Sequence, residues 1–161
     1  EHVAGSMTDH FDPRTNVIRL SDTVFNSTSV AAVGVACHEA GHAVQHAENY
    51  LPNRIRSFIL PVARLGSSLS WIFIIVGFVF LYIGIILFAL SVLFTIATLP
   101  VEFNASKRAL ETIRNGDLLY GEEYTGAKRV LQAAAMTYVA AALTAIMQLL
   151  RLIIIANNRR R

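Results

Sequence analysis

A chain of 161 residues that is 54% hydrophobic and only 16% charged, against about 25% charged in soluble domains, lacks the polar surface that a soluble globule of this size needs. Its formal charge is +3, and the arginines flank apolar runs without forming a basic stripe interleaved with aromatics. This excludes nucleic acid as a partner and favours a bilayer with anionic headgroups. A single cysteine, Cys37, excludes an internal disulfide.

The chain opens with a polar stretch, Glu1 to Phe11, that has no apolar signal-peptide core. From that abrupt start we expect a further N-terminal segment, such as another membrane helix, before Glu1. Asp12-Pro13 marks a turn, and alternation of Val17, Arg19 and Ser21 against Ile18 and Leu20 predicts a short strand over 16–21. Its edge is a candidate for pairing with an extended peptide. Ser27, Thr28 and Ser29 offer N-caps for a helix of small residues over about 29–50, which Pro52 is expected to close. Arg54, Arg56 and Arg64 mark an interfacial segment ending the first part of the chain, 1–64.

From Leu65 to Val101 there is no Asp, Glu, Lys, Arg or His. A single straight helix over that run would be ~55 Å long, nearly twice the ~30 Å hydrocarbon core. The better reading is a transmembrane helical hairpin over 65–101, turning near Leu81–Gly84. Residues 102–129 are charged again and predict a surface helix around "ASKRALETIRNG" with Gly116 as its C-cap. The last part, 130–161, holds a C-terminal transmembrane helix, with helical pattern from about 127 to 156, and a basic tail. Arg151 is placed to snorkel. The fold class expected is mostly α: an integral membrane helical protein with a small catalytic layer carrying a short strand.

The chemistry is concentrated in "ACHEAGHAVQH", residues 36–46. On a helix His38 and His42, four residues apart, lie on one face and can share a cation, with Glu39 beside the ion. That is the geometry of H-E-x-x-H zinc hydrolases, in which two histidines bind Zn²⁺ and the glutamate takes a proton from a water that the metal activates. Gly41 costs about 1 kcal/mol relative to Ala inside a helix and makes better sense as a close-packing position. His46 continues the same face, but it lies eight residues from His38, ~12 Å along the axis, too far for one ion to take all three. It is left with a hydrogen bond or a substrate contact. Cys37 points about 100° away from His38 and is read as packing.

A third ligand has to come from elsewhere. Glu102 in "LPVEFNASKRAL" is the first charged residue after the long apolar run. Spacing alone leaves it open between a ligand returning to the membrane surface and a helix-start glutamate favoured by the macrodipole. His10, Tyr120 and Tyr124 are further candidates for substrate or oxyanion contacts.

The segments "DHFDP", "VIRLS", "VAAVGVACHEAGHAVQHA", "TLPVEFNASKRAL" and "AAAMTYVAAAL" resemble, in order and over nearly the whole chain, the membrane zinc metallopeptidases of the YugP type. The resemblance implies a zincin-like catalytic layer and a gluzincin-like neutral peptidase anchored by several transmembrane helices. In plan it is similar to the HtpX heat-shock protease and the CAAX prenyl proteases. It implies one Zn²⁺ per chain, with Glu102 as third ligand from an E-x-x-A-D motif in which Ser106 here replaces the aspartate. That replacement withdraws the carboxylate support a ligand histidine would receive.

The expected function is therefore zinc-dependent endopeptidase activity on a protein or peptide substrate at the cell membrane, through a multi-pass chain. The alternative is a catalytically silent metal-binding scaffold or chaperone, which would not need Glu39. A transporter would call for ionisable residues within the apolar runs. Arg54, Arg56, Arg64, Lys107, Arg108, Lys128 and Arg129 against Arg159, Arg160 and Arg161 lean the active site toward the cytoplasm. Substrate identity and oligomeric state are not encoded in any of these signals.

Overall fold

A computed structural model describes residues 1–76 and 81–158 and arranges them as a two-stranded hairpin followed by four helices. The elements are β1 (His10–Asp12), β2 (Val17–Arg19), α1 (Val30–Ala47), α2 (Leu51–Val76), α3 (Leu81–Asn115) and α4 (Gly121–Asn158). The protein is mostly α, and α2, α3 and α4 are each long and apolar enough to cross a membrane. The chain divides into two compact units: Glu1–Tyr50 with Pro100–Met136, and Leu51–Leu99 with Thr137–Arg161.

In the first unit the hairpin turns where the sequence indicated, at Asp12-Pro13. Asp12 accepts from the Arg14 amide, the Thr15 hydroxyl and the Arg19 guanidinium, each at 2.9 Å, and Asn16 takes the left-handed conformation at φ 54°. These donors hold the Asp12 carboxyl well below the usual range. The turn creates a strand that alternation did not reveal, since β1 is only three residues long and pairs Phe11 with Ile18.

The expectation of a free edge on the strand at 16–21 is corrected. β2 has β1 on one side, while on the other His2 bridges Leu20 in parallel and the Val3 amide donates to Leu20 O. Both sides of β2 are therefore occupied, and the hairpin edge with no strand beside it is that of β1.

α1 begins at the expected place, with the Ser29 hydroxyl accepting from Ala32 N. It stops without help from proline. Tyr50 N bonds back to Gln45 O and Asn49 N to His46 O, with Asn49 at φ 53°, a Schellman cap. Pro52 sits instead in the first turn of α2, where its missing amide costs nothing. α3 ends in the same way: Leu118 N reaches Ile113 O, and the left-handed residue is Asp117, not the expected Gly116. Cys37, Ala109, Ile113, Leu119, Ala127 and Leu131 form the core that α1, α3 and α4 share. Cys37 is thus the packing residue it was read to be.

In the second unit α2 and α3 pack antiparallel. Ser91 Oγ donates to Ala63 O, a Cβ on Gly66 would come within 2.9 Å of Leu87 O, and one on Gly84 within 2.9 Å of Ser70 O. These small residues let the two backbones approach, the usual means of helix association in lipid. The expected turn at Leu81–Gly84 is corrected by the same contacts. Those residues are the first turn of α3, and Gly84 serves helix contact, not chain reversal. The connection itself, 77–80, lies outside the described residues, as does the basic tail Arg159–Arg161.

No separate surface helix occupies 102–129. α3 runs through Pro100 to Asn115, and α4 already starts at Gly121. The proline removes a single amide from the helix ladder, and α3 continues through it.

Candidate metal centre

α1 carries His38, Glu39 and His42 on consecutive turns, and α3 presents Glu102 to them within the first unit. Both imidazole Nε2 atoms converge on one carboxylate oxygen: His38 Nε2 lies 3.3 Å and His42 Nε2 3.6 Å from Glu102 Oε2. The three donor atoms all fall within 4.8 Å of one another, and they form the one such group of three among the described residues. Two donors at tetrahedral angles, each about 2.0–2.1 Å from a zinc ion, stand about 3.4 Å apart, so nitrogen, nitrogen and oxygen fit that ion in type and spacing. Glu102 is 3% exposed, and a carboxylate so buried needs cationic or hydrogen-bonding company.

The close approach of α1 to α3 depends on Gly41. A Cβ there would sit 2.7 Å from Ala105 O and 3.2 Å from Ala105 Cα. Backbone atoms cannot yield as side chains do, so the glycine is what lets Glu102 reach the two histidines. It is the close-packing position that the sequence suggested.

Behind each histidine stands a polar partner. Ser106 Oγ is 3.2 Å from His38 Nδ1, so a hydroxyl occupies the place where the sequence comparison called for an aspartate. His42 Nδ1 is 3.0 Å from Oε1 of Gln45, a residue that is completely buried and that motif reading passed over.

The orientation of the Gln45 amide is fixed by a chain of donors. Arg108 can only donate, and its Nε bonds Asn104 Oδ1 at 2.8 Å, which makes that atom an acceptor. Gln45 Nε2 donates to the same Oδ1 at 3.0 Å and to Val101 O at 2.8 Å. Gln45 Oε1 therefore faces His42, whose Nδ1 carries the proton. In the neutral ring the Nε2 lone pair is then left toward Glu102. Arg108 also reaches Glu48 at 2.6 Å, tying the end of α1 to α3.

Glu39 is buried at 9% exposure, with the Phe11 backbone amide of β1 bonded to its carboxylate. Burial pushes its carboxyl above the ordinary value, against the pull of His42, His38 and that amide. Burial by itself would lower His42, but the Glu102 carboxylate outweighs it and the net shift is upward.

The remaining candidates are placed elsewhere. His46 is exposed, with its ring 5.7 Å from that of Phe11, and His10 is exposed with Nδ1 2.7 Å from Thr8 O. Neither belongs to the three-donor group. Tyr124 packs against the core, lies 5.2 Å from the Arg114 guanidinium and accepts from it at 3.3 Å. Tyr120 is 64% exposed between α3 and α4.

Comparison with known proteins agrees with this geometry. A family model described as "putative neutral zinc metallopeptidase" matches residues 1–157. The "putative membrane protease YugP" of Bacillus subtilis (strain 168) is 43% identical over 165 residues, covering 99% of this chain and 73% of that protein. No solved structure matches.

Proposed function

The chain belongs to this family of neutral zinc metallopeptidases, and from that premise we propose that it is a membrane-anchored endopeptidase whose zinc ion is held by His38, His42 and Glu102. The observation that carries the reading is the convergence of two imidazoles and one buried carboxylate, with a second buried carboxylate, Glu39, adjoining His38 on α1. A zinc ion held there supplies Lewis-acid polarisation of the scissile carbonyl and lowers the pKa of a coordinated water from ~15.7 toward ~7.

Glu39 is the group that would take a proton from the attacking water as its oxygen bonds the carbonyl carbon, and would return that proton to the amine nitrogen as the carbon–nitrogen bond breaks. A carboxyl whose pKa is raised by burial suits both halves of this transfer. Ser106 and Gln45 hold the two imidazole rings in register. α2, α3 and α4 anchor the chain as three membrane spans, and the excess of basic residues near the span ends on one side in sequence (Arg54, Arg56, Arg64, Lys107, Arg108, Lys128 and Arg129 against Arg159, Arg160 and Arg161) supports a centre on the cytoplasmic side.

The deciding experiment measures zinc in the purified protein together with cleavage of an unstructured substrate such as casein. We expect close to one zinc per chain, and hydrolysis that a chelator abolishes and added zinc restores. Stoichiometric zinc without hydrolysis would leave a metal-binding scaffold instead.

The Gln45 chain gives a sharper prediction. Gln45→Met keeps the side chain's length but offers His42 no comparable acceptor. Zinc affinity, read by competition with a chromogenic chelator, is expected to fall about 10- to 100-fold. An unchanged affinity would show that the amide does not orient the ring.

A further inference from the structure

A cleft runs between α3 and α4 in the first unit, and one of its lining residues is Ser106, whose hydroxyl stands behind His38. Its larger part has a volume of about 490 Å³ and is walled chiefly by Phe103, Leu110, Leu131, Ala135 and Met136, with Ser106, Lys107 and Gln132 also on its lining. That volume lies within the roughly 300–1,000 Å³ of small-molecule sites. A second hollow of about 290 Å³ adjoins it, sharing Lys107 and Leu110, and is lined by Lys107, Arg114 and Lys128 against one carboxylate, Glu111. Glu111 is 3.7 Å from Lys107. Neither Arg114 nor Lys128 has an acidic side chain within ion-pair distance among the described residues. Arg114 is held in place by the Tyr124 ring and hydroxyl.

The two hollows are ordered along the helices. The basic mouth lies at the end of α3 and the beginning of α4, and the apolar trough extends from it toward Phe103 and Met136. In sequence Phe103 stands just past the uncharged run that ends at Val101, and Met136 lies within the run that begins at Val130. A cationic opening above an apolar trough, aligned with helices of membrane-spanning length, matches an amphiphile with an anionic head and a hydrocarbon tail. A soluble anion would leave the trough unfilled, and a zwitterionic lipid would leave the excess positive charge uncompensated.

We propose that this cleft binds an anionic phospholipid of the surrounding bilayer, with its phosphate among Lys107, Arg114 and Lys128 and an acyl chain along Leu110, Leu131 and Met136. The cleft touches the metal centre only through Ser106, and the test of lipid binding needs no catalysis.

The test uses the full chain in a neutral detergent, titrated with dioctanoyl phosphatidylglycerol or dioctanoyl phosphatidylcholine. Bound lipid is counted by native mass spectrometry and the melting temperature is followed in parallel. We expect phosphatidylglycerol to bind at least about tenfold more tightly. Removing Lys107 and Lys128 together (K107Q/K128Q) should weaken it about fivefold for each cation lost. Gln132→Trp, on the exposed wall of the trough, should block the tail and weaken both lipids, whereas Arg151→Gln, a cation near the far end of α4, should change nothing.

Equal binding of the two lipids would overturn the proposal, as would a loss in Arg151→Gln matching that of the double variant. Competition by glycerol phosphate alone at lipid-like concentrations would reduce the cleft to an anion site. Displacement of lipid by casein peptides, with Gln132→Trp raising KM, would make it part of the substrate path.

Discussion

Replacing Glu39 with Gln is expected to reduce proteolysis by about 100- to 10,000-fold, the usual contribution of general acid–base catalysis, while bound zinc stays near one per chain. The separation of the two readouts follows from geometry. His38, His42 and Glu102 point donor atoms at a common centre, whereas Glu39 lies outside that group and is engaged by the Phe11 amide. The amide of Gln keeps the shape of the side chain but cannot accept the proton of a water. Metal analysis and casein cleavage on the same preparation decide the matter. Loss of zinc in parallel with activity would move Glu39 from base to ligand. Substituting His38 or His42 by Ala should instead remove the ion and the activity together.

Glu102→Ala is expected to lower zinc affinity by orders of magnitude, because it removes one of three protein donors and leaves two imidazoles that had shared its buried charge. This prediction is tied to the path of the chain. For Glu102 to meet residues that precede the 65–101 run, the run has to cross and return, and the antiparallel contacts of Ser91 with Ala63 and of Gly66 with Leu87 are those of a returning pair. Single cysteines at Asn53 and Asn115 in a chain lacking Cys37 should accordingly label from the same side of the membrane, the cytoplasmic one. Labelling from opposite sides would refute the return. Full zinc affinity in Glu102→Ala would refute the ligand and leave the return standing.

Several parts of this arrangement are local enough to be written in short stretches. Four-residue spacing puts His38 and His42 on one face of any helix, Ser29 caps that helix through its own third neighbour, and the uncharged runs fix the length of what crosses a bilayer. Each depends on residues a few positions apart, where helical periodicity and hydropathy act directly. Helix ends were harder to read. Pro52 and Gly116 are the stops that residue type suggests, while α1 and α3 end at the left-handed Asn49 and Asp117. Those terminations rest on left-handed backbone that Asn and Asp tolerate.

What only the tertiary structure decided is the environment of the site. His38 and Glu102, 64 positions apart, and Gln45 and Val101, 56 apart, carry no periodic signal of their meeting. The contact exists because Gly41 admits the backbone of Ala105 and because α3 continues unbroken past Pro100. Once the helices touch, a buried glutamine whose hydrogen-bond pattern is dictated by an arginine two partners away orients a histidine that the sequence could place on a face but not turn toward an ion. The sequence determined which groups could do the chemistry, since that depends on residue type and local spacing. Their convergence depended on long-range packing, in which the absence of one Cβ and the satisfaction of buried polar atoms decide which surfaces close upon each other.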